Sequence, residues 1–165
     1  MTPGRYPTQA YYASTDLTRT ADTNAYLAND VLGAATGSTA ALTFADIGPQ
    51  NGRIMITSTS LTINSTGIIS GETSYRLHLY NITPPSALGD NVAWDLPSGD
   101  RASYLGFLEL GTPVDLGSTL YVETNGINKQ VVLVTGSLFG YLVTIGPYTP
   151  TSARVHNIKL HSLAV

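Results

Sequence analysis

Several residue types are scarce or missing in this chain of 165 residues, and each shortage argues against a class of protein. There is no cysteine. This excludes disulfide-stapled folds and cysteine-ligated metal sites, although it leaves the redox compartment open. Charged residues make up 12%, about half the usual share. Lysine occurs only at 129 and 159, and glutamate only at 72, 109 and 123. Because both residue types commonly cover exposed helices, their scarcity argues against a helical protein.

Charge and hydropathy argue against two kinds of partner. The net charge is −3 and the sequence has no basic run, so we expect no nucleic-acid binding. No apolar run approaches the roughly 20 residues that span a bilayer, and we expect no membrane partner. The first residues lack the basic-then-apolar pattern of a signal peptide, which predicts synthesis in a bacterial cytoplasm. A protein made there can still end up outside the cell as part of a larger particle.

The residues that replace the missing charges favour β structure. Threonine, serine and tyrosine are frequent, and there are 16 glycines. Threonine and tyrosine fit the half-buried surface of a sheet, whereas glycine, asparagine and proline form turns. A chain of this length suits one domain with a real core.

The hydrophobic pattern predicts an all-β, single-domain β-sandwich of the jelly-roll type, with about eight or nine antiparallel strands. Turn residues separate short alternating segments at a spacing of about ten residues, as is typical of such folds. The last segment is apolar to its end, which indicates a strand paired inside a sheet. The predicted strands cover residues 41–45, 53–64, 74–81, 104–110, 119–124, 129–134, 138–145 and 154–163.

Three local patterns refine this prediction. In residues 53–64 the apolar positions change phase, which indicates a bulge near residues 57–60. Asn125 and Gly126 predict a hairpin turn between two strands. Residues 25–35 are rich in alanine, but asparagine, aspartate and glycine interrupt them. We predict an extended segment there, with a short helix as the alternative.

We predict that the chain divides at residue 25. Residues 1–25 form an extended N-terminal arm, and residues 26–165 form the sandwich domain. Pro3 and Pro7 oppose regular structure in the first part. Its tyrosines have few aliphatic neighbours to pack on. An arm ordered by a partner and a frayed terminus or edge strand are both compatible with this pattern.

Residues 82–101 form a long polar insertion that contains the only tryptophan, Trp94. Structureless loops of this length are uncommon in compact domains and are often functional. Trp94 could fill a space beneath its own loop, which is the favoured interpretation. Alternatively it could anchor an interface or stack on a sugar.

The sequence does not predict an active site. It has no nucleophile-elbow motif, and the sequence 136–140 has the wrong spacing for one. His156 and His161 are five residues apart on one predicted strand, so they point to opposite faces. We interpret these two and His78 as surface or cross-strand residues and predict no metal site.

Carboxylates give no stronger signal. Glu109 and Glu123 lie on adjacent predicted strands, at positions that should face solvent, so a glycosidase pair is disfavoured. Asp90, Asp95 and Asp100 supply hard oxygens for calcium in one loop, but turn chemistry explains the same residues. We expect neither an enzyme nor a cofactor.

Several segments resemble small proteins encoded among the structural genes of tailed bacteriophages and prophages. They are YRLHLYNITPPSALGDN at 75–91, DLPSGDR at 95–101, GYLVT at 140–144 and YTPTS at 148–152. The resemblance extends from about residue 21 to the C-terminus. It points to capsid decoration (cement) proteins, which are small β-sandwiches, often trimeric, that sit on the outer capsid and brace neighbouring subunits. It transfers no catalytic residue.

The resemblance implies a structural virion protein on the capsid surface. The expected partners are the major capsid protein and further copies of the chain, with a trimer favoured. The candidate interface residues are Arg5, Tyr6, Tyr11 and Tyr12 in the arm and Trp94, Asp100 and Arg101 in the loop. The alternative is a carbohydrate- or receptor-binding sandwich module of a phage tail fibre, suggested by Trp94 and the loop tyrosines.

Overall fold

The computed structural model describes residues 9–34 and 39–165, which form a sandwich of two antiparallel sheets. Sheet I has the strand order β1-β10-β4-β8-β7. Sheet II has the order β2-β9-β5-β6, and β3 also pairs with β9. The strands are β1 (Ala10–Thr18), β2 (Val31–Leu32), β3 (Leu42–Phe44), β4 (Arg53–Ile63), β5 (Tyr75–Tyr80), β6 (Tyr104–Gly111), β7 (Val114–Asp115), β8 (Leu120–Val132), β9 (Leu138–Thr144) and β10 (Val155–Ala164).

This strand order is that of a jelly roll and confirms the predicted fold class. The chain passes from sheet I to sheet II and back, so most strands pair with strands distant in sequence. β10 lies between β1 and β4, which confirms that the apolar C-terminal segment is paired on both sides. Helix is confined to one short 3-10 turn, Ser98–Asp100, among the described residues. No helix in that part of the chain is both long and apolar enough to cross a bilayer.

The change of phase in β4 is explained by the predicted bulge. Ile56 pairs with Lys129 and Ser58 pairs with Asn125, which leaves Thr57 as the irregular position in β4. The extra residue shifts the alternation by one. Ile54, Ile56, Leu61 and Ile63 are therefore all fully buried although they have different parity.

The predicted hairpin at Asn125 and Gly126 is wrong. β8 continues through both residues as one strand, Leu120–Val132. Between the pairs Ser58–Asn125 and Ile56–Lys129, three residues of β8 lie opposite one residue of β4. Gly126 and Asn128 have positive φ, 70° and 52°, so the turn-forming residues build an irregularity inside a strand instead of ending it.

The N-terminal segment is partly a strand. β1 pairs with β10 from Ala10 to Thr18 and forms one edge of sheet I, which is the edge-strand alternative. Among the described residues, strand pairing in sheet I thus includes Ala10–Thr18, which lie in the segment predicted as the arm. Residues 1–8 lie outside the described residues. Within residues 25–34, the predicted extended segment is confirmed by β2 and by the isolated bridge between Tyr26 and Tyr148.

Two apolar clusters hold the sandwich together. The larger one fills the space between the sheets and includes Phe44, Leu61, Leu77 and Leu142. The smaller one lies on the outer face of sheet II around Tyr80 and Tyr141. Sheet II is therefore covered on both faces, because the long loop after β5 folds over its outer side.

Candidate functional site

The long loop packs Trp94 onto the outer face of sheet II. The indole lies 3.6 Å from the His78 ring, centroid to centroid, with 19° between the planes. Tyr104 stacks on His78 and packs at a tilt against Trp94, and its hydroxyl lies 2.9 Å from His78 Nδ1. One face of Trp94 is thus used inside the protein, which confirms the packing interpretation. A contact between Trp94 and a partner stays a prediction.

Asp100 closes the same loop. Its carboxylate accepts hydrogen bonds from the Ser86 backbone N–H at 3.1 Å and from the Ser86 hydroxyl at 2.8 Å. Asp100 is only 1% exposed. Of the two neighbours predicted as contacts, Arg101 faces solvent, whereas Asp100 is turned into the loop. The role that the geometry gives Asp100 is to hold the loop in place.

Replacing Asp100 with alanine should therefore loosen the loop and destabilise the protein by about 2 kcal/mol, since charge-assisted hydrogen bonds would be lost. Amide hydrogen exchange should accelerate between residues 86 and 103. The exposed Asp95, replaced by alanine, is the matched control and should leave exchange unchanged. Equal exchange in both variants would contradict the role assigned to Asp100.

An apolar seam runs between the two sheets along β6 and β8. Among the described residues, β6 pairs only with β5, and β8 pairs on its outer side only with the short β7, at residues 120–121. Two depressions of about 360 Å³ each lie along these edges. Their apolar lining includes Leu105 and Val132 in one and Phe107 and Ile127 in the other. Phe107 is 45% exposed and Val132 is 46% exposed.

The outer face of sheet I is polar. Side chains of β1, β10, β4 and β8 form a trough of about 340 Å³ lined by Tyr12, Ser58, Thr59, Ser60, Tyr121, Glu123, Lys159 and His161. Tyr12 is 52% exposed, and its ring centroid lies 5.2 Å from that of His161. Tyr11 alternates with Tyr12 and is half-buried. Arg5 and Tyr6 lie outside the described residues.

The structure contains a buried ionic network that the sequence analysis did not predict. Arg154 Nη2 lies 3.0 Å from Glu72 Oε1, and both side chains are 1% exposed. Glu72 also accepts hydrogen bonds from the Tyr75 hydroxyl at 2.5 Å and from the Ile69 N–H at 3.0 Å. Burial, followed by the neighbouring Tyr148 and Glu72, raises the pKa of Tyr75 well above its usual value. The phenol therefore stays protonated and acts as a donor.

A second buried group adjoins the first through the rings of Tyr26 and Tyr148, 5.5 Å apart. The Tyr26 hydroxyl accepts from Arg19 Nε at 2.6 Å and donates to Asp90 at 2.5 Å. Arg19 also pairs with Asp22 at 2.5 Å. Neither group opens into a cleft, because Arg19, Tyr26, Asp90 and Arg154 are at most 2% exposed. The network holds distant segments together and has no room for a substrate.

The interpretation of the histidines is wrong for two of the three. His156 is fully buried, and its ring centroid lies 5.8 Å from that of Tyr75. His78 is 2% exposed beneath Trp94. Burial, followed by the charge of Arg154 and then Arg19, lowers the pKa of His156 to about 3. His161 is exposed on the opposite face from His156, as predicted.

The carboxylates do not converge. Glu123 is exposed, and Glu109 is half-exposed in an ion pair with Arg76. Asp90 and Asp100 each bind protein groups in different places. Within residues 9–34 and 39–165, no cluster of three or more histidine, aspartate or glutamate side chains could hold a metal ion.

Comparisons with known proteins describe the fold only. No protein-family model matches the chain, and no curated protein matches it in sequence. The chain is similar to a chain in the capsid of Ralstonia phage GP4, with 13% identity, a TM-score of 0.44 and coverage of 99% of this chain and 90% of that one. A chain of the cyanophage Pam1 capsid gives 14% identity, a TM-score of 0.38 and coverage of 100% and 91%.

A non-viral chain gives values in the same range. A lipoprotein from Bacteroides thetaiotaomicron has 8% identity and a TM-score of 0.37, with coverage of 94% of this chain and 83% of the lipoprotein.

Proposed function

We propose that the protein is a structural virion protein that binds the outer surface of a phage capsid as a homo-oligomer and stabilises it. The observation that carries this proposal is the apolar seam along β6 and β8, where strand edges are unpaired among the described residues and Phe107 and Val132 are about half exposed. Contiguous apolar surface on a soluble domain marks an interaction site. The phage setting comes from the resemblance of residues 75–91, 95–101, 140–144 and 148–152 to tailed-phage structural proteins.

A second copy of the chain is the occupant proposed for the seam. Unpaired strand edges are readily satisfied by another strand edge, and every copy carries the same edges. Leu105, Phe107, Ile127 and Val132 would be covered in such a contact. Association would also present several capsid-binding surfaces at once, so weak individual contacts would add to strong attachment. The resemblance favours a trimer.

The contacts with the major capsid protein are assigned to the N-terminal segment and the long loop. Arg5 and Tyr6 precede the first described residue, and Arg101 is exposed beside the closed loop. Arginine and tyrosine are both enriched at protein interfaces, because they combine apolar area with hydrogen bonding. Trp94 would support this surface from beneath.

The oligomer can be tested by light scattering. A variant with Phe107→Ala and Val132→Ser should shift the protein to monomer, because both exposed apolar groups of the seam are truncated. Leu27→Ser is the matched control, since Leu27 is 70% exposed but lies outside the seam. A seam variant with the same mass as the wild-type protein would contradict the assigned occupant.

Attachment can be tested by co-sedimentation with capsids of the encoding phage that were assembled without this protein. The full chain should co-sediment and raise the temperature at which the capsids open. Deletion of residues 2–8 should weaken binding by about tenfold or more, because a loss per copy is multiplied in an oligomer. Failure of the full chain to bind would contradict the proposed function. Unchanged binding after the deletion would remove Arg5 and Tyr6 from it.

A further inference from the structure

The polar trough on the outer face of sheet I is built by the strand register. One row across the sheet joins Tyr12, His161 and Ser58, and the next row joins Lys159, Ser60 and Glu123. The serine side chains of β4 are short, whereas the trough-lining side chains of the flanking strands are long or aromatic. The floor of the trough therefore carries hydroxyl groups, and its walls carry rings and charged groups.

On the β8 side of the trough, two hydrogen bonds from residues of the same strand orient the Glu123 carboxylate. Glu123 Oε2 accepts from the Tyr121 hydroxyl at 2.7 Å, and Oε1 accepts from Asn125 Nδ2 at 2.8 Å. These hydrogen bonds, that of Tyr121 first, lower the pKa of Glu123, so the carboxylate is ionised at neutral pH. A carboxylate fixed by two partners still has free lone pairs and can accept from a further hydroxyl.

The opposite wall supplies donors and an aromatic surface. Among the described residues, Lys159 has no salt bridge, so its ammonium can donate to a ligand. In the strand register Ser60 lies between Lys159 and Glu123, so the two charged side chains are on opposite sides of the trough. Tyr12 stands above this wall and is half-exposed.

The chemistry of the lining selects a class of ligand. The charges of Lys159 and Glu123 cancel, which disfavours both strong anions and cations. The lining is mostly polar and its floor carries hydroxyl groups, which disfavours a hydrophobic peptide. Paired donors and acceptors beside a tyrosine ring match a neutral, hydroxyl-rich ring. The volume of about 340 Å³ lies at the lower end of small-ligand sites.

We infer that this trough binds a neutral saccharide of one or two rings. Glu123 and Lys159 bind sugar hydroxyls from opposite sides, Ser58 and Ser60 contact the ring from below, and Tyr12 packs on its less polar face. The site does not depend on the seam between β6 and β8. On an oligomer or a particle, many weak sites of this kind would act together.

The first measurement is an NMR titration of the isotope-labelled full chain with the methyl glycosides of glucose, galactose, mannose and N-acetylglucosamine. At least one should bind with a Kd on the order of 1 mM, as suits a shallow polar site. The shifted amides should lie in β1, β4, β8 and β10. An array of neutral, sialylated and sulfated glycans then defines the preferred oligosaccharide.

Two single substitutions localise the site, and a third serves as the control. Tyr12→Ala and Glu123→Gln should each weaken saccharide binding by about tenfold or more, because one removes the ring and the other the charged acceptor. Both residues are exposed on a sheet surface, so the fold should survive, which a thermal melt verifies. Phe107→Ala removes an aromatic ring of similar exposure from the seam and should leave saccharide binding unchanged.

Three results would overturn the inference: no shifts with any of the four glycosides, equal binding by Tyr12→Ala and wild-type protein, or array binding confined to sialylated and sulfated glycans. Capsid binding is measured separately. Glu123→Gln, which lies in neither of the segments assigned to capsid binding, should still co-sediment with capsids, so a failure of the saccharide site and a failure of the proposed attachment can be distinguished.

Discussion

Replacing Arg154 with methionine should lower the free energy of unfolding by about 3–5 kcal/mol, because Glu72 would remain as a buried carboxylate without its cation. The two side chains are 1% exposed and lie 3.0 Å apart, so water cannot replace the lost partner. Equilibrium unfolding in urea at one fixed protein concentration measures this change, since association also contributes to stability.

A second substitution separates the ion pair from the hydrogen bonds around it. Glu72→Gln in the Arg154→Met background removes the uncompensated carboxylate charge but keeps a hydrogen-bond acceptor for the Tyr75 hydroxyl. We expect the double variant to recover about half of the lost stability, because replacing both members of a buried pair is far less damaging than removing one.

The exposed ion pair of Arg76 and Glu109 provides the control. Its side chains are 28% and 51% exposed, and their nearest atoms are 2.5 Å apart. Arg76→Met should change stability by less than about 1 kcal/mol, since solvent screens such pairs. If Arg154→Met and Arg76→Met had equal effects, the buried network would not be a main source of stability.

The alternation of side chains was enough to predict the fold. In β4 the phase change at Thr57 indicated a bulge, because only an extra residue can place Ile56 and Leu61 on one face. β8 shows the limit of the same reasoning. Asn125 and Gly126 favour positive φ in a hairpin and in a bulge alike, and only pairing with β4 selects the bulge.

The buried network could not be predicted from spacing. Glu72 and Arg154 are 82 positions apart, and Tyr26 and Asp90 are 64 apart. In sequence each sits among turn residues, where charged and polar groups normally face solvent. Only the jelly-roll crossings bring these loops to one place, and the sequence gives no register for crossings of that kind.

For the candidate site residues, the sequence predicts only which side chains face solvent, and only on strands where buried and exposed residues alternate. Tyr12 and Glu123 lie on the outer face of sheet I, since the adjacent residues Ala13 and Val122 pack into the core. The trough itself depends on which strands are adjacent. The prediction for His156 was wrong because a polar residue on an alternating strand usually lies on the solvent-exposed face. In this protein the His156 ring packs against Tyr75 inside the sandwich.

Acidification should destabilise this protein through His156. Burial lowers the pKa of His156 to about 3 in the folded chain, against 6.5 for an ordinary histidine. Between these values the unfolded chain binds a proton that the folded chain does not, so stability falls as the pH drops below about 6.5. One proton corresponds to about 1.4 kcal/mol per pH unit well below pH 6.5, which amounts to about 2 kcal/mol between pH 6.5 and pH 4.5.

His156→Phe keeps a ring against Tyr75 and removes the titrating group. Its stability should therefore fall less steeply over this pH range than that of the wild-type protein, by about 1.4 kcal/mol per unit. His78, whose pKa burial lowers to about 3, still titrates in the variant, so some slope remains. His161→Gln removes an exposed histidine and should keep the wild-type slope. If His156→Phe and His161→Gln lost stability equally with acid, a charged His156 would have to be tolerated inside the sandwich.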